Sequence, residues 1–474
     1  MAMGRQRARQ GQMMVLWDEL PRSPGHVFYD RLQAELAAAG FDTFVENECK
    51  PYYARTIGAP SLPPGRYFRM HMVGYFEGIA SERGLEWRCA DSLSLRDFLG
   101  LELDQRVPDH SWLSRTRARL PLEVHEGVFA WVLERLAERG LIKGQRIGVD
   151  ASTMAANAAM RSIRRRDTGE SYREMLTSMA EESGIETPTA AELQQFDRTR
   201  KGKRASNAEW ASATDPEAKI ARMKDGRTHL AYKPEHAVDL DTGAVVAAEI
   251  HAADRGDTTT LEGTLEAAAE SLEAAAAAPD AVAPADLVAD KGYHSRAVLK
   301  DLDGGPWRSR IAEPKPKGVQ RWRGDLEARR AVYGNRARLR SGVAKEALKL
   351  RAERVERSFE HTLDRGGLRR TYLRGRENVQ KRYLVHVAGF NLGLVMRALL
   401  GAGTPKEVAA RGDIIFWLID PDAGLVLFVI LPPEPHQDHH DLLKPMPGSE
   451  VPSIRQPGRR LSNTAFVNGL LTAC

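Results

Sequence analysis

Apolar and polar positions along the chain change their period near residue 145, and the change separates two kinds of structure. Before it the pattern is helical. From Pro64 to Glu82, Tyr67, Met70, Val73, Tyr75 and Ile79 recur at nearly helical spacing and predict a core-facing helix. A short periodic stretch, Asp91 to Leu101, precedes Val107-Pro-Asp-His-Ser111, where Pro108 stops continuation and Asp109 or Ser111 can cap a new helix. In that helix Trp112, Leu113, Thr116 and Leu120 form an expected inner stripe, with Arg115 and Arg119 one turn apart on another face and Arg117 close by. The arrangement has the form of a helix-turn-helix with its second helix ready for a DNA groove, and equally of a small bundle with exposed arginines.

After residue 144 apolar runs alternate with helical stretches. Gln145 to Asp150 predicts a strand, and the polar stretch 160–225 predicts loop and helix with partial disorder. Leu230 to Asp239 and Ala244 to His251, joined through Asp241-Thr-Gly243, predict a β-hairpin. Thr258 to Ala278 predicts a helix capped by Asp257, followed by a strand at Leu287 to Asp290, a helix at Arg296 to Leu302, a strand at Arg308 to Ala312 and a long basic helix. This order fits a mixed five-stranded sheet flanked by helices. Asp241-Thr-Gly243 is also the activating turn of aspartic proteases, which need two such turns sharing a proton; a second Asp-Thr-Gly stands at 167–169, but it lies in the polar stretch 160–225, and the turn at 241 sits between two apolar runs as a simple hairpin turn does.

At 474 residues the chain suggests two to four units. The expected division is 1–143, helical and DNA-binding; 144–403, the α/β core; and 404–474, of unknown role. In the last, Ile414 to Leu431 predicts two short strands, and His436-Gln-Asp-His-His440 could bind metal or be a solvated loop. No uninterrupted apolar run approaches the roughly 20 residues that span a bilayer, and the N-terminus lacks the apolar core of a secretory signal. Cys49, Cys89 and Cys474 form neither a disulfide framework nor a metal knuckle, so a reducing cytoplasm is expected and no membrane partner. Lys315 to Arg382 holds 21 Lys and Arg against 8 Asp and Glu, an excess of 13 in a chain of net charge +5, so the remainder carries −8. That asymmetry points to a polyanionic partner.

Three acids stand where chemistry could use them. Asp150 and Asp290 close apolar strands, and carboxyl ends of strands are where open α/β sheets collect active residues. Glu356 borders the expected buried stripe Leu348, Ala352, Val355 and Phe359 of a basic helix. Alone, a strand-terminal aspartate is equally a turn or cap residue. Together, converging carboxylates about 4 Å apart repel by about 4 kcal/mol at an effective dielectric near 20 and call for shared protons or cations. Divalent ions held by such acids support in-line displacement at phosphorus.

The chain resembles the DDE-type transposases of bacterial insertion sequences. The resemblance runs from about Pro63 to about Leu400 and is carried by Leu95-Arg-Asp-Phe-Leu-Gly100, Val107-Pro-Asp-His-Ser111, Ala213-Thr-Asp-Pro-Glu-Ala218, Leu230-Ala-Tyr-Lys233, Val288-Ala-Asp-Lys-Gly-Tyr293, Val355-Glu-Arg-Ser-Phe359, Leu373-Arg-Gly-Arg-Glu-Asn-Val379 and His386-Val-Ala-Gly-Phe-Asn-Leu392. It implies a ribonuclease H-like core in which Asp150, Asp290 and Glu356 are the catalytic, metal-holding acids, 140 and then 66 residues apart. It further implies two Mg²⁺ ions, for which Mn²⁺ can substitute, cleavage at element ends and strand transfer into target DNA. The expected partners are double-stranded DNA, as terminal inverted repeats and target, and further copies of the chain in a dimer or larger assembly on the bacterial nucleoid. Arg115, Arg117, Arg119, Lys291, Arg351, Arg354 and Arg357 are the candidate DNA contacts. The sequence departs from the family in having Leu363 where many relatives carry a lysine seven residues after the glutamate, a role Arg357 or Arg365 could take. A metal-dependent nuclease without strand transfer, or an inactive DNA-binding relic, would share these features.

Overall fold

The computed structural model describes residues 20–54, 61–201, 205–223, 226–279, 282–315, 322 and 324–411, with the backbone of 417–420 and 424–427. They belong to one compact unit, Met1–Ile430; the His436 to His440 cluster lies outside the described residues. Seven helices come first: α1 Pro24–Ala38, α2 Phe41–Cys49, α3 Pro64–Glu77, α4 Glu82–Ala90, α5 Leu93–Phe98, α6 His110–Arg119 and α7 Leu122–Glu138. Asp109 caps α6, its carboxylate accepting from the backbone N–H groups of Ser111 at 2.8 Å and Trp112 at 3.0 Å.

Next come β1 Arg146–Ala151, β2 Met154–Ala155, β3 Ile163–Arg165, α8 Tyr172–Glu182, α9 Ala190–Thr199, β4 Trp210–Ser212 and β5 Lys219–Arg222. The segment expected to be partly disordered thus carries regular elements. Its two helices close on a small core of their own, Leu176, Ala180 and Leu193, which a polar composition conceals. The hairpin follows as β6 Thr228–Asp239 and β7 Val245–Ala252, then α10 Asp257–Ala274, β8 Ala285–Ala289, α11 Arg296–Asp301, β9 Trp307–Ile311, α12 Leu326–Leu339, α13 Gly342–Phe359, α14 Arg376–Leu400 and α15 Pro405–Arg411. A final antiparallel pair is β10 Trp417–Asp420 and β11 Gly424–Leu427.

The five expected strands form one sheet, and two short strands bring it to seven among the described residues. Its main order is β7-β6-β1-β8-β9, with β1, β8 and β9 parallel and β6 antiparallel to β1. The short β2 and β5 add to β6. Asp241-Thr-Gly243 is the hairpin turn, gripped by the buried Asp239 carboxylate, which accepts from the N–H of Asp241 at 2.9 Å. The Asp257 cap is a correction: Gly256 is the N-cap of α10, and the Asp257 carboxylate instead pairs with Lys233.

The long apolar helix α14 ties the layers together. By length and composition the segment Arg376–Arg411 could cross a membrane, yet most of its apolar window is buried, as in a core helix. It packs on α3, α7 and β7. Its side-chain amides serve β7, whose outer edge has no further strand: Gln380 accepts from the Ile250 N–H at 2.7 Å and donates to Ala248 O at 2.8 Å, and Asn391 both donates to and accepts from the Val245 backbone.

Candidate active site

Val149 of β1 lies opposite Ala289 of β8, so Asp150 and Asp290, each one residue further on, emerge side by side at the carboxyl ends of two central parallel strands. Asp150 accepts from the Ala151 N–H at 2.8 Å through Oδ1, and its Oδ2 is 2.7 Å from Arg351 Nη2. Asp290 caps the short turn Lys291–Tyr293, accepting from the Gly292 N–H at 2.7 Å. Burial pushes the Asp150 carboxyl up from its usual range; Arg351 and the Ala151 hydrogen bond oppose this, and the charges of Asp290 and Asp257 add to it.

Arg351 reaches this end of the sheet because α13 crosses β1 at Gly148. A methyl there would come within 2.5 Å of a Leu240 carbon and within about 3 Å of Val355 and Arg351, so only glycine permits the approach. The buried stripe of α13 is accordingly Ala344, Ala347, Arg351, Val355, Ser358 and Phe359, rotated from the expected one toward polar residues. Ser358 Oγ lies 2.8 Å from Nδ1 of His236, which pairs with Asp150 across the sheet, and Phe359 stacks on the same imidazole. Arg351 also donates through Nε to Val149 O at 3.2 Å. Arg351→Met is therefore expected to lower the unfolding free energy by about 1–2 kcal/mol, the lower part of the range for a buried group left unsatisfied, because Asp150 is partly exposed. An unchanged urea midpoint would show that the ion pair contributes nothing.

Glu356 is exposed and follows Val355 by one residue, about 100° around the helix. Arg354, on the opposite flank, reaches toward Gly243 in the hairpin turn, at the end of β6 away from Asp150. Among the described residues, no three His, Cys, Asp or Glu side chains are drawn close enough to hold a metal. The two aspartates fit a divalent cation by donor chemistry, since Mg²⁺ takes oxygen ligands and is usually anchored by only one or two carboxylates. Glu356 does not complete a three-carboxylate group.

Sequence reasoning missed Asp257. Its carboxylate lies against Gly292, beside Asp290, and its signal in the sequence, an acid opening a helix, was that of a cap. The candidate DNA contacts divide. Arg115, Arg357 and Lys291 are exposed, Arg115 lying over the Trp112 ring at 5.3 Å and Arg357 pairing with Glu353 at 3.0 Å. Arg119 also faces outward, over the Tyr53 ring at 4.8 Å. Arg117 is buried, paired with Glu82 and donating to Asn378 Oδ1 at 3.4 Å; Arg351 is committed to Asp150; and Arg354 points away from the acids. Trp112, expected inside, is exposed. Leu363 is fully buried in a π-helical turn, Glu360–Arg365, while Arg365 is exposed and pairs with Glu360 at 2.8 Å.

The family model described as Transposase domain (DUF772) matches residues 22–119, and that of the Transposase DDE domain matches 187–392, which includes Asp290 and Glu356 and leaves Asp150 just upstream. No curated protein and no solved structure matches the chain. Sheet order, helical layers and the second match define a ribonuclease H-like α/β protein. The chain belongs to the DDE-type transposases of insertion-sequence type.

Proposed function

We propose that this transposase cuts DNA at the ends of its insertion sequence and joins the freed ends to target DNA, with Asp150 and Asp290 as the carboxylates that would hold two Mg²⁺ ions, which Mn²⁺ can replace, and Glu356 as the third acid, which would close on the ions only when they and DNA are bound. The observation that carries the reading is the emergence of Asp150 and Asp290 side by side on adjacent parallel strands, with the Asp150 carboxyl pushed up by burial and by its neighbour's charge. Divalent cations, when bound, stabilise the attacking and leaving oxygens of an in-line displacement at phosphorus. In the first step water displaces the terminal 3′-oxygen of the element from phosphorus; in the second the resulting 3′-hydroxyl displaces a 3′-oxygen of the target strand. The first step releases a proton as the new 5′-phosphate ionises; in the second the proton lost by the attacking hydroxyl is balanced by the one the displaced 3′-oxygen takes up, and neither step leaves a covalent enzyme intermediate. Lys291, beside Asp290, and the exposed Arg357 contribute positive charge near the reacting phosphates, while Arg115 and Arg119 of α6 contact the terminal inverted repeats. A dimer or larger assembly, acting on DNA in the cytoplasm, brings two ends together.

The test is nicking and joining of duplex DNA carrying the element's ends. Products are expected with Mg²⁺ or Mn²⁺, none with EDTA, and joined products only when a 3′-hydroxyl end is supplied. Nicking that persists in EDTA would overturn the proposal, and nicking without joining would reduce it to a nuclease. End binding should weaken about a thousandfold or more between about 50 and 200 mM salt if six or more phosphates are contacted. A flat salt response in a filter-binding titration would remove the electrostatic reading.

A further inference from the structure

We propose that Glu235, acting through Tyr293, and Lys233, acting through Asp257, are positioning residues that fix the Asp290 carboxylate beside Asp150; this rests on the catalytic reading of the two aspartates. Glu235 is fully buried on β6 opposite Ala151, one register step from the residue that pairs with Asp150. Its Oε1 accepts from Tyr293 Oη at 2.7 Å and Thr260 Oγ1 at 2.8 Å, and its Oε2 accepts from Thr264 Oγ1 at 2.5 Å. Nε2 of His251 lies 3.5 Å from Oε2, and Nζ of Lys233 lies 3.6 Å from Oε1.

Tyr293, itself fully buried, ends the turn that Asp290 begins. That turn is consequently tied at both ends, by the Asp290 carboxylate to the Gly292 N–H and by the phenol to Glu235. The second tie comes from α10. Lys233 Nζ donates to Asp257 Oδ1 at 2.7 Å, Thr260 Oγ1 at 3.0 Å and Arg255 O at 3.4 Å. A methyl on Gly292 would lie 2.3 Å from Asp257 Oδ2 and 3.0 Å from Asp290 Oδ1, so the two carboxylates close on the glycine from both sides. Lys233 offsets the repulsion that Asp257 would otherwise exert there.

Burying a carboxylate and an ammonium seldom adds stability over an apolar cluster of the same volume. Their placement acts instead on geometry, because a site loses rate steeply when its groups are misplaced by about an ångström. A merely structural network would lower stability alone. Positioning changes metal affinity and kcat while leaving the grip on DNA intact.

The experiment compares Tyr293→Phe, Glu235→Gln and Gly292→Ala with the full-length wild type. Gly292 is exposed, so its variant alters the turn without opening the core. Three readouts are taken: Mn²⁺ affinity by calorimetry without DNA, kcat and KM for nicking of end DNA, and melting temperature. The expected result for Gly292→Ala is an unchanged melting temperature and KM, kcat lower by about tenfold or more and Mn²⁺ affinity lower by about threefold or more. Tyr293→Phe is expected to shift the same two quantities in the same direction. Wild-type kcat and Mn²⁺ affinity in a folded Gly292→Ala protein would overturn the proposal, as would a rise in KM at constant kcat. Asp290→Asn, run alongside, separates the two readings: if it keeps nicking, the catalytic assignment itself fails, whereas if it is dead and Gly292→Ala behaves as wild type, only the positioning role fails.

Discussion

Asp290→Asn is expected to reduce Mg²⁺-dependent nicking of end DNA by about a thousandfold or more, while the protein becomes no less stable. The loss follows from removing one of the proposed anionic oxygen ligands where several kcal/mol of charge stabilisation are gathered, each 1.4 kcal/mol being about tenfold in rate. The stability follows from local electrostatics. The amide still accepts from the Gly292 N–H, and one negative charge leaves a cluster that includes Asp150 and Asp257. Asp150→Asn should lose the same activity and differ in stability. It leaves the buried Arg351 guanidinium facing a neutral amide, at a cost of about 1–3 kcal/mol. Nicking gels and urea titrations of the two variants check both halves. Residual nicking near the wild-type rate in either would remove that aspartate from the site.

Arg117→Ala is expected to destabilise the protein by about 2–3 kcal/mol, because it strands the partly buried Glu82 carboxylate without its cation. The same loss removes a hydrogen bond to Asn378, near the start of α14, so the damage spans two layers. Arg115→Ala, on the exposed side of α6, should leave the urea midpoint within about 0.5 kcal/mol. It should instead weaken binding to end DNA and lower the salt slope by about one. The pair separates a structural arginine from a DNA-facing one on a single helix. Should Arg117→Ala keep its stability and lose DNA binding, the buried ion pair has been given the wrong role.

The sequence pattern exposed what is local and hid what depends on a partner from elsewhere. Strands β1 and β8 were legible from short apolar runs, and their terminal aspartates from position, because parallel pairing then puts both at one edge. The β6–β7 hairpin was legible from its turn, since apolar runs flank a Gly-containing connection. Arg115, Arg117 and Arg119 look alike in sequence, and only Glu82 of α4 decides which one is buried. Asp257 has the look of a helix cap until Lys233, on β6, takes its carboxylate. Leu363 reads as a lysine lost from the groove, yet the π-helical turn that begins at Glu360 breaks the phase on which a seven-residue count depends, and the position turns into the core. Glu356 was legible as a border residue, exposed beside the buried Val355, but no three-carboxylate group forms around it among the described residues.

The amide contacts from α14 to the edge of β7 bear on how this transposase measures DNA. One helix is bonded to the sheet through Gln380 and Asn391 and packed against α3 and α7 of the helical layer, so a single element braces both layers. If α6 holds the repeat, as proposed, that sequence would sit at a set offset from Asp150 and Asp290, in both distance and helical phase. On that reading the protein would act as a ruler, since one base pair inserted between the bound repeat and the element's end rotates the scissile phosphate by about a tenth of a turn.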